Sequence, residues 1–295
     1  MASATAVARA ERGTADPVRA VSVVSTGTVQ IHPEHAFGSS KPLYWWLLTS
    51  RQWLAARPIN AYVIEHARGL ILFDTGQDRA SVTDPSYFPG GFTGHLYDRL
   101  ARFQIGEEDT LTAQLATLGY TPAEVDTAIL SHLHQDHIGG LPELAGADLL
   151  VAEAEWAELS KPLPEPRGFL RQHIQLPGLR WHQIDHEPAV DPTLAPFTSS
   201  LDLMGDGSLT LVPTPGHTAG SMSLLVRRRG RSPLLLVGDL TYEAELLERA
   251  QVPGVGAGKQ LVETTAKVLT LRETMPDLVI LPAHDPSAAR RLLAS

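Results

Sequence analysis

The segment VDTAILSHLHQDHIGG sets three histidines and an aspartate directly after an apolar, β-favouring run. Nothing else in the chain restricts its fold as tightly. With a strand ending near Leu130, His132 and His134 lie two apart in extended chain and point to the same side. Asp136 and His137 follow where the chain must turn, and Gly139 and Gly140 are expected to supply the backbone freedom for that turn. Imidazole and carboxylate groups at the mouth of an apolar core are costly unless something compensates them. A divalent cation is the natural compensation. One short segment can then serve two adjacent ions, His132 and His134 holding one, Asp136 and His137 the other.

The same arrangement recurs further along. VPTPGHTAG, LLVGDLTY and VILPAHD each end a strand-like run on a ligand-type residue: His217, Asp239 and His284. Strand ends are rigid platforms, and loops leaving one sheet edge converge on one cavity. His217 and His284 can each complete one ion's set, and Asp239, with two carboxylate oxygens, can bridge both. Two ions about 3.5–4 Å apart hold a hydroxide at neutral pH and polarise a carbonyl or phosphoryl oxygen. The chain has no cysteine, so thiolate ligands, catalytic thiols and disulfides are excluded. Nitrogen and oxygen donors suit two Zn2+ ions best, with iron, cobalt or manganese also compatible. The histidines at His32, His35, His66, His95 and His173 read as ordinary satisfied polar residues. His182 and His186, in WHQIDH, imitate a ligand pair but follow no recognisable strand.

Around these motifs, strand and helix patterns alternate in both halves, which points to sheets with helices outside. A strand is expected near Arg19 to Ile31. A hairpin turns at His66 to Gly69, and a helix carries Leu111, Leu115 and Leu118 on one face before Gly119. Thr121, Pro122 and Glu124 form a capping pattern. A helix is expected from Gly258 to Thr274, with DLVILPAHD as the last strand. Residues 1–18 read as a mobile tail without a signal-type apolar core. Residues 19–295 read as a single domain, interrupted near 161–200 by a proline-rich excursion or lid with little periodicity. No apolar run approaches the ~18–20 residues of a membrane span, and a cytoplasmic protein is expected. The net charge of −9 argues against a nucleic-acid partner. The basic run Arg227 to Arg231 reads as a solvated hairpin turn.

The ligand pattern resembles the metallo-beta-lactamase superfamily. His132, His134, Asp136 and His137 match its HxHxDH signature, and His217, Asp239 and His284 match its later ligands. The resemblance implies an α/β fold, the αβ/βα four-layer sandwich, with two mixed β-sheets, helices on the outer faces and the metals at one edge. FDTG, with Asp74, looks like the superfamily's acidic motif, whose carboxylate orients a ligand histidine. Within the superfamily, Tyr242 in GDLTY and the stretch TPGHTAGSMSLLV are most similar to the N-acyl homoserine lactone lactonases, whose tyrosine aims its hydroxyl at the substrate carbonyl. The implied activity is opening of a small-molecule lactone ring by a metal-bridging hydroxide. Tyr242 would stabilise the oxyanion, and Asp136 would pass the proton to the leaving alkoxide. Other readings are a hydrolase of the same fold acting on a different ester, lactone or phosphotriester, and a metal-binding sensor with vestigial turnover. Tyr44, Trp45 and Trp46, in KPLYWWLLTSRQWL, are candidates to line an acyl groove or a homodimer surface, against plain core packing.

Overall fold

The structure, a computed structural model, describes residues 16–295. The tail expected over 1–18 therefore falls almost wholly outside the described residues. Two sheets face each other. The first contains β1 (Val18–Ile31), β2 (Arg57–His66), β3 (Gly69–Phe73), β4 (Ala101–Gln104), β5 (Val125–Ile129), β6 (Asp148–Ala152) and β7 (Arg180–Ile184), in the order β4-β1-β2-β3-β5-β6-β7. The second contains β8 (Glu187–Pro188), β9 (Ser199–Asp202), β10 (Leu209–Pro213), β11 (Met222–Val226), β12 (Leu234–Gly238) and β13 (Val279–Pro282), in the order β13-β12-β11-β10-β9-β8. Both sheets are mixed. β3, β5, β6 and β7 run parallel, as do β12 and β13, while the remaining neighbours are antiparallel.

Alternate residues of the central strands enter different layers, because successive side chains in a strand point to opposite faces. Ile64, Ile71 and Phe73 meet Leu224, Leu234 and Leu236 between the sheets. Their neighbours Val63, Leu70 and Leu72 pack outward against Leu111 and Leu115 of the helix Leu111–Thr117. On the far side, Leu225, Leu235 and Val237 pack against the helix Gly258–Thr274 through Leu261, Val268 and Leu271. The spacing of those three residues traces one helical stripe. Strands covered on both faces read as unbroken apolar runs, which is why the LILF and PLLLV segments were legible.

Three expectations change. The excursion at 161–200 is not without strands: it carries β7 along β6, register Asp148↔Arg180 to Ala152↔Ile184, then crosses to the second sheet as β8 and enters β9. β7 is an edge strand whose side chains are mostly exposed, so it shows no apolar alternation. Its conformation comes from the backbone pairing. Second, β13 is the last strand, as expected, but it does not close the chain: the helix Ala288–Leu293 follows and sets Ala288 and Leu292 into the layer between the sheets. Third, the TPAE pattern closes only a single 3-10 turn, Pro122–Glu124, before β5 begins. The hairpins at Gly69 (φ 138°) and at Gly230 in the basic run form as expected, but the latter is not wholly solvated, since Arg228 is buried and donates to Ser232 and Ser295.

Candidate active site

Five strands deliver the polar residues to one edge. β3 ends just before Asp74, and β5 ends shortly before Ser131 and His132. β10 leads to His217, β12 to Asp239 and β13 to His284. His134 starts a single helical turn, Gln135–Ile138, which swings Asp136 and His137 back toward the cluster. The following glycines are needed for a reason other than the one expected. Gly140 has φ −81°, and neither glycine has a left-handed backbone. A Cβ on Gly139 would lie 2.0 Å from the backbone nitrogen of Asp78, and one on Gly140 would lie 2.4 Å from Leu111 Cδ2. They supply room for the turn to sit against the loop after β3.

All seven expected ligand residues converge. Ring nitrogens and carboxylate oxygens of His132, His134 and His217 lie within 4.8 Å of one another, and so do those of Asp136, His137 and His284. Asp239 shares a third such group with His132 and His137, between the other two. His134 Nδ1 is 2.9 Å from His217 Nε2. His284 Nε2 is 3.4 Å from Asp136 Oδ2 and 3.3 Å from Asp239 Oδ1, and His137 Nε2 is also 3.3 Å from Asp239 Oδ1.

The outer ring nitrogens are held by the protein. His137 Nδ1 donates to Asp74 Oδ2 at 2.8 Å, His284 Nδ1 to the carbonyl of Pro58 at 3.0 Å, and His132 Nδ1 pairs with Ser131 Oγ at 3.0 Å. Each bond turns the Nε2 lone pair inward, as metal-ligating imidazoles require. Asp74 also accepts from the backbone nitrogen and hydroxyl of Ser131, at 2.7 and 2.9 Å, and sits at φ 61°, a conformation uncommon outside glycine. At the centre, His132 Nε2, His137 Nε2 and Asp239 Oδ1 are buried with no hydrogen-bond partner among the described residues. Buried polar atoms are rarely left so. Three orphaned donors and acceptors facing one point are the signature of a cation-binding cage, and the donor set fits divalent metal.

The electrostatics agree. Burial drives His132 far below its ordinary pKa and takes His217 down to about 3, so both favour the neutral, ligating form. His284 is pushed down by burial but up overall, to about 9, by Asp239 and Asp136, so these carboxylates hold a proton on its ring that a bound cation would have to displace. Asp136 is raised by burial but brought down overall, to about 2, by the hydrogen bond from His284 and the charge of His137. The carboxylates thus stay ionised, offering negative charge to a cation.

The cluster floors a cavity of about 480 Å³. Tyr242 lines it, its hydroxyl donating to Asp239 Oδ2 at 3.0 Å and lying 2.8 Å from His35 Nε2. The apolar wall includes Val29, Ile31, Leu96, Leu100 and Phe103. Part of the excursion, Pro166 to Phe169, closes one side. Of the three aromatic residues proposed for an acyl groove, only Tyr44 reaches the cavity. Trp46 is wholly buried beside Leu47 and Leu96, and Trp45 is 62% exposed and not in the cavity wall. The run forms a helix, Leu43–Thr49, and a turn of about 100° per residue sends three consecutive side chains in three directions.

Two residues escaped the reading of the sequence. His35, taken for an ordinary polar histidine, faces Tyr242. Glu155, which looks like a solvent-facing helix residue in AEAEWAELS, is wholly buried and accepts from the backbone of Leu133 (2.9 Å), the backbone of Gly220 (3.0 Å) and the hydroxyl of Thr218 (2.6 Å). It ties the His132–His134 segment to the His217 loop. No local pattern marks either residue. By contrast, His32 bonds the carbonyls of Gln52 and Arg99, and His182 pairs with Asp148 on the surface, both away from the cluster.

The sequence model of the metallo-beta-lactamase superfamily matches residues 54–284. The chain belongs to that superfamily. Its matches to lactonases and metallo-hydrolases, together with the cation-binding cage, mark it as a metal-dependent hydrolase. It is 32% identical to the N-acyl homoserine lactonase AttM of Azorhizobium caulinodans, over 78% of this chain and 83% of that protein. It is 31% identical to an N-acyl homoserine lactonase of a Bacillus species, over 77% and 81%. Among solved structures, an N-acyl homoserine lactone hydrolase with N-hexanoyl-L-homoserine bound at its catalytic metal center superposes with a TM-score of 0.71 at 23% identity, covering 92% of this chain and 94% of that one. The superfamily's two-sheet sandwich is thus the fold observed here.

Proposed function

We propose that this hydrolase opens the lactone ring of N-acyl homoserine lactones, a quorum-quenching activity, using two divalent ions, Zn2+ by preference. His132, His134 and His217 would hold one ion, Asp136, His137 and His284 the other, with Asp239 between them. Such a pair supplies a hydroxide at neutral pH and polarises an ester carbonyl. The observation that carries the reading is the cavity itself, which joins this carboxylate–imidazole floor to an apolar wall. An acyl homoserine lactone has the matching shape: a small polar ring with one hydrolysable ester, and an apolar tail.

The chain's own groups divide the work. Tyr242 is a buried phenol at the cluster's rim, and burial pushes its pKa well up, so it stays a hydrogen-bond donor. It would donate to the oxygen that becomes negative as the carbonyl is attacked. Asp136, ionised and at the cavity surface, would take a proton and pass it to the leaving alkoxide. The wall from β1 and the helix Gly91–Leu100 would exclude water from the tail. Relatives of this chain at about 31–32% identity are named for this substrate class, which supports the choice.

The test is a proton-release assay with metal-loaded protein against N-acyl homoserine lactones, aryl esters, thioesters and phosphotriesters, with metal content measured on the same sample. The lactones should turn over fastest, and Tyr242→Phe should lose on the order of 10–10³ in rate. A fully metal-loaded protein that leaves the lactones intact refutes the substrate, and equal rates for Tyr242→Phe remove the phenol from the reaction.

A further inference from the structure

His35 lies outside the metal cluster, on the helix Pro33–Phe37 that follows β1. Its side chain is buried, edge-on to Tyr242 with ring centroids 5.2 Å apart, and also near Trp46 at 6.0 Å. Its backbone carbonyl accepts from the backbone nitrogen of Gly254 at 2.9 Å, which ties the helix to that loop. Nε2 is 2.8 Å from the hydroxyl oxygen of Tyr242, and that hydroxyl is 3.0 Å from Asp239 Oδ2.

These two contacts settle who donates. A phenol has one hydrogen, and an ionised carboxylate can only accept. If Tyr242 gave its hydrogen to His35, its oxygen and that of Asp239 would face each other at 3.0 Å with no hydrogen between them. The phenol hydrogen therefore points to Asp239, and the hydrogen between Tyr242 and His35 belongs to His35 Nε2. Burial takes His35 down to about 4, so the ring carries a single proton near neutrality. That proton is on Nε2, which leaves Nδ1 bare. Nδ1 is buried with no partner among the described residues, which this tautomer allows because it leaves no hydrogen there to be satisfied.

We propose that His35 is a positioning residue: by donating Nε2–H to the phenol oxygen, it occupies that oxygen's lone pair and keeps the hydroxyl hydrogen of Tyr242 on the cluster side, where it rests on Asp239 and from which it can turn to the oxygen of the attacked carbonyl. The proposal rests on the reading of this cavity as an ester-hydrolysing site. Without His35, the hydroxyl is free to rotate away from the reacting carbonyl. The phenol is then still present, but it donates only part of the time. The loss falls on kcat, because the contact matters most as charge develops on the carbonyl oxygen.

Two double-mutant cycles test it. In metal-loaded protein, His35→Leu should lower kcat about ten-fold with KM changed less than about two-fold, and with metal content unchanged. His35→Gln, whose amide nitrogen can also donate, should recover most of the rate. In a Tyr242→Phe background, His35→Leu should have no further effect. In metal-free protein, urea midpoints of the same variants should be non-additive, the double variant differing from the sum of the singles. If His35→Leu slows the reaction equally with and without the Tyr242 hydroxyl, or if Gln fails to rescue while the fold and metals are intact, the proposal is overturned. Additive midpoints also overturn it. Should no lactone turn over, the substrate reading fails while the metal-free cycle still decides the pairing. The rate cycle then uses whichever ester or phosphotriester the panel reveals.

Discussion

Replacing Asp74 with Asn isolates one hydrogen bond that prepares the metal cage. Asp74 Oδ1 accepts from the backbone of Ser131, and Oδ2 accepts from Ser131 Oγ and from His137 Nδ1. Asparagine is nearly the same shape and is among the residues that tolerate φ near 61°. Its carbonyl keeps the bond from Ser131, and its amide group can donate to the Ser131 hydroxyl. The same amide, however, presents hydrogen to His137 Nδ1. His137 must then carry its proton on Nε2, the atom that faces Asp239 Oδ1 at 3.3 Å and that a cation needs bare. Loss of such a partner costs 10–100-fold in metal affinity. At 1.4 kcal/mol per factor of ten, that is about 1.4–2.8 kcal/mol. The assay is competition with a chromophoric chelator, read for each of two ions per chain, with circular dichroism checking that the fold is kept. Weakening is expected at the proposed site of Asp136, His137 and His284, with the proposed site of His132, His134 and His217 changed much less. Unchanged affinity at both sites would refute the tautomer argument.

Glu155 should make metal-free stability depend on pH. Burial raises its pKa from 4.5 to about 7, so the folded state holds its proton more tightly than the unfolded chain. Its stabilising share is therefore full below about pH 4.5 and is lost as pH rises through about 7. Relative to Glu155→Gln, the wild type should lose on the order of a few kcal/mol across that window, measured by urea unfolding; a constant difference between the two would show that Glu155 does not titrate there. The two adjacent tryptophans should behave oppositely. Trp46→Ala should cost about 3–5 kcal/mol of stability, whereas Trp45→Ala, at a surface position, should stay within about 0.5 kcal/mol. Comparable losses at the two positions would contradict the orientation of the Leu43–Thr49 helix.

Much of the candidate site was legible because its signals are local. A strand announces itself by a short apolar run, and a ligand residue at its end needs only its neighbours to be noticed. The period-two spacing of His132 and His134 put both on one side of the chain, and the structure brings His132 together with His134 and Asp136 together with His137, with His132 and His137 also meeting at Asp239. The inner strands of both sheets were readable for the same reason, since burial on both faces leaves a continuous apolar stretch. The misses share the opposite cause. β7 is an exposed edge strand made by pairing with β6, so its own side chains carry no pattern. Gly139 and Gly140 look like flexible hinges in sequence, but what they provide is clearance from the loop after β3.

The sequence by itself determined which residue types stand at the ends of which strands, and with them the superfamily and the class of chemistry. Only the tertiary structure decided which histidine Asp74 holds, that the Pro58 carbonyl holds another, that Glu155 is buried between two ligand loops, and that His35 rather than a neighbouring histidine meets Tyr242. Those partners are far apart along the chain. A hydrogen bond depends on where two atoms end up in space and on which of them keeps the proton, and neither is encoded in the spacing of residues within one segment.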